Sequence, residues 1–133
     1  TFDLGSNALR PAGWTSADAA GLPILPGLVR CDEVTAGRID HAIRVTFSRT
    51  RRAYIPPATH FASSSTDADL PPMGLRLRLR ADYPIGSFTG QARVVLEAFR
   101  SHGVLVADIG SNWFFSGAPG PCWDDDDLDQ LKG

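Results

Sequence analysis

Residues 39–61 read IDHAIRVTFSRTRRAYIPPATHF. From Ile39 to Ser48 the residues alternate. His41, Ile43, Val45 and Phe47 share one face, and Ala42, Arg44, Thr46 and Ser48 share the other. A period of two predicts a half-buried strand with His41 on its inward side. Arg49 to Arg52 reads as a basic turn, and Ala53 to Ile55 begins a second strand. Pro56-Pro57 then stops regular pairing before Thr59-His60. If the two strands form a hairpin, their outer ends return to one sheet edge, which brings His41 and His60 into one site.

Upstream, residues 1–30 are punctuated by glycine and proline. Phe2 to Leu4 reads as the end of a strand, Ser16 as the cap of a helical turn over Ala17–Ala20, and Leu22–Val29 as an extended, buried crossing. Cys31–Ala36 is predicted as one helical turn, with Asp32 and Glu33 at its start and Gly37 as its stop. Downstream, residues 62–72 read as a surface loop. Leu75–Arg80, LRLRLR, has the clearest alternation in the chain, leucines inward and arginines outward. Gln91–His102 is the one long amphipathic helix, with Ala92, Val95, Leu96 and Phe99 on its apolar stripe, Thr89 as its cap and Gly103 as its stop. Val104–Ala107 reads as a short strand ending at Asp108, and Trp113–Phe115 as its hairpin partner. A short helix through Leu128 and Leu131 follows. The expected fold is α+β and mainly β: an antiparallel or mixed twisted sheet, sandwich- or barrel-like, against one main helix.

The chain has 133 residues and an apolar fraction of 43%, enough for one core and too apolar for a disordered chain. It reads as a single domain, residues 1–133, or as the C-terminal part of a longer one, because it opens on Thr1-Phe2-Asp3 rather than on a leader. No apolar run approaches the roughly 18–20 residues of a membrane-spanning helix. Five of the fifteen acidic residues are Asp124–Asp127 and Asp129, so the remainder is only slightly basic. That surplus is too small for a nucleic-acid binder. Asp124–Asp127 lacks the alternating spacing of a calcium loop and reads as a solvated helix start. Cys31 and Cys122 lack the spacing of a zinc site and are either free thiols or one disulfide. No nucleophile elbow or phosphate-cradling glycine loop is present, and no cofactor is expected.

The candidate chemistry lies in histidines and carboxylates. His41 and His60 have the side chain suited to proton transfer near neutral pH; each also has a bland reading as a half-buried ring bonded to backbone. Glu33 and Asp108 are the candidate carboxylates at the same edge, and a carboxylate pair flanking a cleft suits glycoside hydrolysis. A divalent metal at His41/His60 with one carboxylate is the lesser alternative. Arg76 and Arg78 have the groups to bind substrate carboxylates, and Trp113 has the ring to stack on a sugar.

The segments RPAGWTSADAAGLPILPGLVR, DEVTAGRIDHAIR, PPATHFASS, PPMGLRLRLRA and ADIGS resemble a group of uncharacterised bacterial secreted or lipoprotein-like proteins of soil bacteria, over nearly the whole chain. The resemblance implies no established activity. It implies a strand-rich portion upstream of this region, and a secreted, periplasmic or cell-envelope location. Tyrosine and arginine stand in those proteins at the positions of Cys31 and Cys122. The two cysteines together therefore make a Cys31–Cys122 disulfide as good an expectation as two free thiols.

The function expected is that of an extracellular carbohydrate-active protein: a polysaccharide hydrolase using His41, His60, Asp108 and Glu33, with Arg76, Arg78 and Trp113 on substrate. The alternative is a non-catalytic carbohydrate-binding or cell-envelope module. The two differ in what they need: convergent acid–base groups for the first, exposed aromatics for the second.

Overall fold

The computed structural model describes residues 2–3 and 5–132; Leu4, and with it the end of the strand expected at Phe2–Leu4, lies outside them. In chain order the regular elements are α1 (Cys31–Ala36), β1 (Ile43–Phe47), β2 (Arg76–Leu77), α2 (Gly90–Ser101), β3 (Val104–Ile109), β4 (Phe114–Phe115) and α3 (Asp125–Asp129), with short 3-10 turns at Leu25–Gly27, Ile85–Ser87 and Gln130–Lys132.

The four strands form one mixed sheet in the order β2-β3-β1-β4. Among the described residues more lie in helices than in strands, and the strands make a single sheet. The fold is α+β, without the β-dominated sandwich or barrel expected above. The reason lies in β1. Its alternation predicts a strand correctly over Ile43–Phe47, but not the start at Ile39, since residues 39–42 with His41 lie before the strand, and not its partners. β1 pairs parallel with β3, Ile43 opposite Val104 and Val45 opposite Val106, and antiparallel with β4. The hairpin expected with residues 53–55 does not form. Those residues bond instead to Met73: Ile55 N donates to Met73 O at 2.9 Å and Met73 N to Ala53 O at 3.0 Å. Likewise Phe114–Phe115 returns to β1 rather than to β3, and β3 takes β2 as its antiparallel neighbour.

A parallel pair needs a crossover, and α2 supplies part of it. The expected stripe is buried against the sheet: Val95 and Ala98 share a core with Ile43, Val45, Val104, Val29, Val34 and Ile39. Gly103, at φ 81°, stands between His102, the C-cap of α2, and the first residue of β3. A Cβ there would run into the Leu77 carbonyl, so only glycine turns the chain so close to β2. Thr89 is not the side-chain cap of α2. The C-terminal segment caps the helix from outside, with Gln91 N donating to Asp127 Oδ2 at 2.9 Å and Thr89 N to Gln130 Oε1 at 3.1 Å. α1 forms as expected and ends at Gly37; residues 17–20 form a bend rather than a helical turn. The LRLRLR alternation survives in burial, although only Arg76–Leu77 pair as a strand.

A second core cluster gathers Ala20, Leu22, Ala58, Met73, Val106 and Ala107. Cys31 and Cys122 form a disulfide across 91 positions of sequence, which ties the start of α1 to the segment that caps α2. No helix among the described residues is long and apolar enough to cross a membrane.

Closing so long a loop restricts the unfolded chain more than the folded one. The Cys31→Ser/Cys122→Ser variant is therefore expected to lose about 2–5 kcal/mol in urea titration. A loss near zero would mean that the bond does not restrain the unfolded state.

Candidate functional site

Glu33 is the third residue of α1, and its carboxylate reaches back to the helix start, where Arg30 N donates to Oε2 at 2.9 Å. The same carboxylate, only 9% exposed, takes the Arg30 guanidinium at 2.9 Å and His41 Nε2 at 3.0 Å on Oε1. The other ring nitrogen of His41, Nδ1, lies 2.9 Å from the Ala42 carbonyl oxygen. The Ala42 carbonyl and the Glu33 carboxylate both present acceptor oxygens, so the ring bonds to both at once only with a hydrogen on each nitrogen. Both nitrogens are thus engaged, and the ring joins the start of α1 to the approach of β1. The structure brings His41 and Glu33 together, as one bonded pair.

His60 is elsewhere. Its Nδ1 lies 2.9 Å from the Ala19 carbonyl oxygen. Neighbouring Ala20 is bonded to the far end of β3, its N donating to Ala107 O at 3.0 Å. His41 precedes β1 at the level of His102, because Ile43 stands opposite Val104. At about 3.3 Å per residue the two levels differ by roughly 15 Å along the strands. The joint His41/His60 site is therefore not assembled, since the hairpin that would have folded one onto the other does not form. The described residues hold no group of three His, Cys, Asp or Glu side chains placed to take a metal ion.

Asp108 owes its position to a bulge. The register runs Val45 opposite Val106 and then Thr46 opposite Asp108, leaving Ala107 as the extra residue. Without that residue Asp108 would stand opposite Phe47 and point to the α2 side. With it, Asp108 shares the face of Thr46 and Arg44. There Arg44 lies between two carboxylates: Nε 3.3 Å from Asp18 Oδ2, and Nη2 3.9 Å from Asp108 Oδ2. The bulge also frees the Ala107 carbonyl for Ala20 N, so the loop carrying Asp18 docks on the same irregularity.

Asp18 and Arg44 were absent from the sequence-based candidates. Arg44 was visible only as one more polar residue on an alternating strand. Asp18 had no signal beyond its place two residues after Ser16. Its side chain is fully buried, and Oδ1 accepts from Leu22 N at 3.0 Å and Ser16 Oγ at 3.2 Å. Burial raises its pKa above the ordinary value of 3.8; the Arg44 charge and these hydrogen bonds oppose the shift without cancelling it.

The remaining candidates are dispersed. Arg76 serves the end of α2, its Nε donating to the His102 carbonyl at 2.6 Å. Arg78 is exposed on the next outward position. Trp113 sits on the turn between β3 and β4, 54% exposed, in edge-to-face contact with Phe47 at 4.8 Å. Its φ of 63° is left-handed, the one such non-glycine residue among those described. Four contacts fasten the turn to β1: Gly110 N to Phe47 O and Trp113 N to Thr46 O, both 3.0 Å, Thr46 Oγ1 to Ser111 O at 2.6 Å, and Ser48 N to Asn112 Oδ1 at 2.9 Å.

No known protein family, curated protein or solved structure matches this chain.

Asp18 gives a pH test. A carboxyl whose pKa is raised on folding stabilises the protein below its unfolded value, and that contribution is lost as pH rises through the folded value. Relative to Asp18→Asn, which cannot titrate there, the wild type is expected to lose stability as pH increases from about 3. Urea unfolding in pH steps measures the difference. A flat difference would show that Asp18 titrates alike in both states.

Proposed function

We propose that this is an extracellular or cell-envelope carbohydrate-binding module, non-catalytic, with Trp113 as its sugar-stacking residue. The observation that carries this reading is the strained, exposed placement of that ring. A bulky residue in the left-handed region costs about 1–2 kcal/mol. Asparagine or glycine would occupy the position at less cost. The turn is nevertheless fastened to β1 at four points, so the indole is presented rather than tucked away. Ile109, 43% exposed and standing opposite Phe47, widens the apolar surface. Ser48 and Asn112 border it with hydrogen-bonding groups. An aromatic face beside fixed polar groups suits a sugar ring, which has an apolar face and a hydroxylated rim. The disulfide fits an oxidising compartment, and so supports secretion.

A hydrolytic reading has a narrower basis, in Asp108 and His60. Ala20 bridges the backbones beside them, with N on Ala107 O and its carbonyl taking Thr59 N at 2.8 Å. His60 Nε2 makes no hydrogen bond among the described residues. Glu33 and His41 are bound to each other and contribute less to this reading, and Arg76 contributes little, because its guanidinium is spent on the His102 carbonyl.

Retention on insoluble polysaccharides, scored beside reducing-sugar release, separates the two. Trp113→Asn is expected to weaken retention about tenfold or more while stability stays within about 1 kcal/mol, because relief of backbone strain offsets the lost Phe47 contact. Undiminished retention in the variant would sink the Trp113 platform. Sugar release that disappears in Asp108→Asn and His60→Ala would make the protein a hydrolase.

A further inference from the structure

The turn that presents Trp113 also fixes the side-chain amide of its neighbour, Asn112. The pairing of β1 with β4 reaches Thr46 opposite Phe114, and Trp113 N extends it by donating to Thr46 O at 3.0 Å. One step further along β1 the acceptor is no longer backbone. Ser48 N donates to Asn112 Oδ1 at 2.9 Å, and Ser48 Oγ stands 3.0 Å from the same oxygen. A backbone N–H can only donate, so the atom that meets it is the oxygen of the amide and not its nitrogen. The two branches of this exposed side chain are thereby told apart: the oxygen is held on β1, and the NH2 group is the branch left over. Asparagine is among the residues that adopt left-handed backbone most readily, yet here it stands one place before the left-handed position, where its oxygen can serve Ser48.

Asn112 Nδ2 makes no hydrogen bond among the described residues, and neither does the indole N–H of Trp113. Several acceptors of the turn already carry bonds: Asn112 Oδ1 from Ser48, the Ser111 carbonyl from Thr46 Oγ1 at 2.6 Å, and Phe47 O from Gly110 N at 3.0 Å. Ser111 adds a hydroxyl that can act either way. Asn112 and Trp113 themselves thus offer a ligand donors. A sugar hydroxyl holds its donor and its acceptor on one atom, and an NH2 group answers only the second. A carbonyl oxygen accepts only, so nothing of it is left unmet. In an acetamido group the N–H points away from the carbonyl and stays in water, while the methyl suits the apolar surface of Trp113 and Ile109. A carboxylate is matched less well. The amide of Asn112 is neutral, and Arg49, the cation next to Ser48, faces Asp67 at 4.0 Å.

We propose that Asn112 sets the ligand class of the Trp113 surface: a 2-acetamido sugar, its ring on the indole and its acetamido carbonyl on Asn112 Nδ2. This rests on the reading of Trp113 as a stacking residue and adds to it the group that chooses among sugars. The two side chains leave adjacent Cα atoms, about 3.8 Å apart, so one sugar unit with its substituent spans both. The bond from Ser48 gives the choice its sharpness. An amide free to turn over would offer its oxygen as readily as its nitrogen, whereas here the oxygen is already engaged by two donors of Ser48.

Titration calorimetry of the full chain with fully N-acetylated chitotetraose and with cellotetraose tests this, because the two share one backbone and differ in the substituent at C2. The acetylated sugar is expected to bind about tenfold more tightly, the worth of one good hydrogen bond. Asn112→Asp keeps an oxygen for Ser48 N and puts a second oxygen where the NH2 group was. It is expected to bring the acetylated sugar down to the affinity of cellotetraose or below, with cellotetraose itself changed by no more than about twofold. Trp113→Asn is expected to lose both sugars. If the wild type binds neither, or if Trp113→Asn binds both undiminished, the Trp113 surface falls and this proposal with it. Equal affinity for the two sugars, tighter binding of cellotetraose, or a preference that persists in Asn112→Asp would overturn the role of Asn112 alone and leave the stacking surface standing.

Discussion

The parallel pairing of β1 with β3 is the constraint on which the other elements depend. Parallel neighbours cannot be joined by a tight turn, so the chain from Ser48 to Gly103 must leave the sheet and return. That excursion contains β2 and α2. β2 comes back antiparallel on the outer side of β3, and α2 covers the face formed by Ile43 and Val45. With β3 on one side of β1, the only remaining edge of that strand is taken by β4, which fixes the direction of the turn carrying Trp113. The C-terminal segment then supplies what α2 lacks at its start, through Asp127 and Gln130.

On the opposite face a single extra residue has several effects. Ala107 interrupts the ladder, exposes its carbonyl to Ala20, and turns Asp108 towards Arg44. A buried arginine in mid-strand needs compensation, and one partner arrives from a loop 26 positions away. Asp18 meets Arg44 at Nε only, and is itself held by Leu22 N and Ser16. The guanidinium is therefore held at Nε by the closer contact with Asp18 and at Nη2 by the longer ion pair with Asp108.

Local features were legible in the sequence. The alternation of Ile43–Phe47 and of LRLRLR, the acidic start and glycine stop of α1, and the stripe of α2 each depend on residues a few positions apart, and each appears in the structure. What was illegible is pairing at a distance. Nothing in Phe114-Phe115 distinguishes β1 from β3 as a partner. Pro56-Pro57 gave no sign that Ala53–Ile55 makes only an isolated bridge to Met73 rather than a strand. A bulge leaves no mark in a run as apolar as Val104–Ala107, so the side on which Asp108 emerges could not be read. The same limit applies to the candidate site. His41 and Glu33, eight positions apart, were both picked and do meet, whereas His60 was joined to them through a hairpin that does not exist. The significance of Asp18 and Arg44 lies in their meeting across 26 positions, which no local pattern announces. The left-handed backbone of Trp113 was equally hidden, since no propensity assigns that conformation to an aromatic residue.

The disulfide has a topological consequence. By joining position 31 to position 122 it encloses all four strands and α2 in one covalent ring. The exposed loop over residues 62–72 lies on that ring, on the excursion between the parallel strands. A peptide bond cut there opens the ring without dividing the molecule. The piece bearing β1 and the piece bearing β3 remain tethered, with their shared ladder and the core beneath α2 still available to hold them in register. Until the sulfur bridge is reduced, such a nicked protein keeps the composition of the intact one, and its two halves meet again at the effective concentration of an intramolecular reaction.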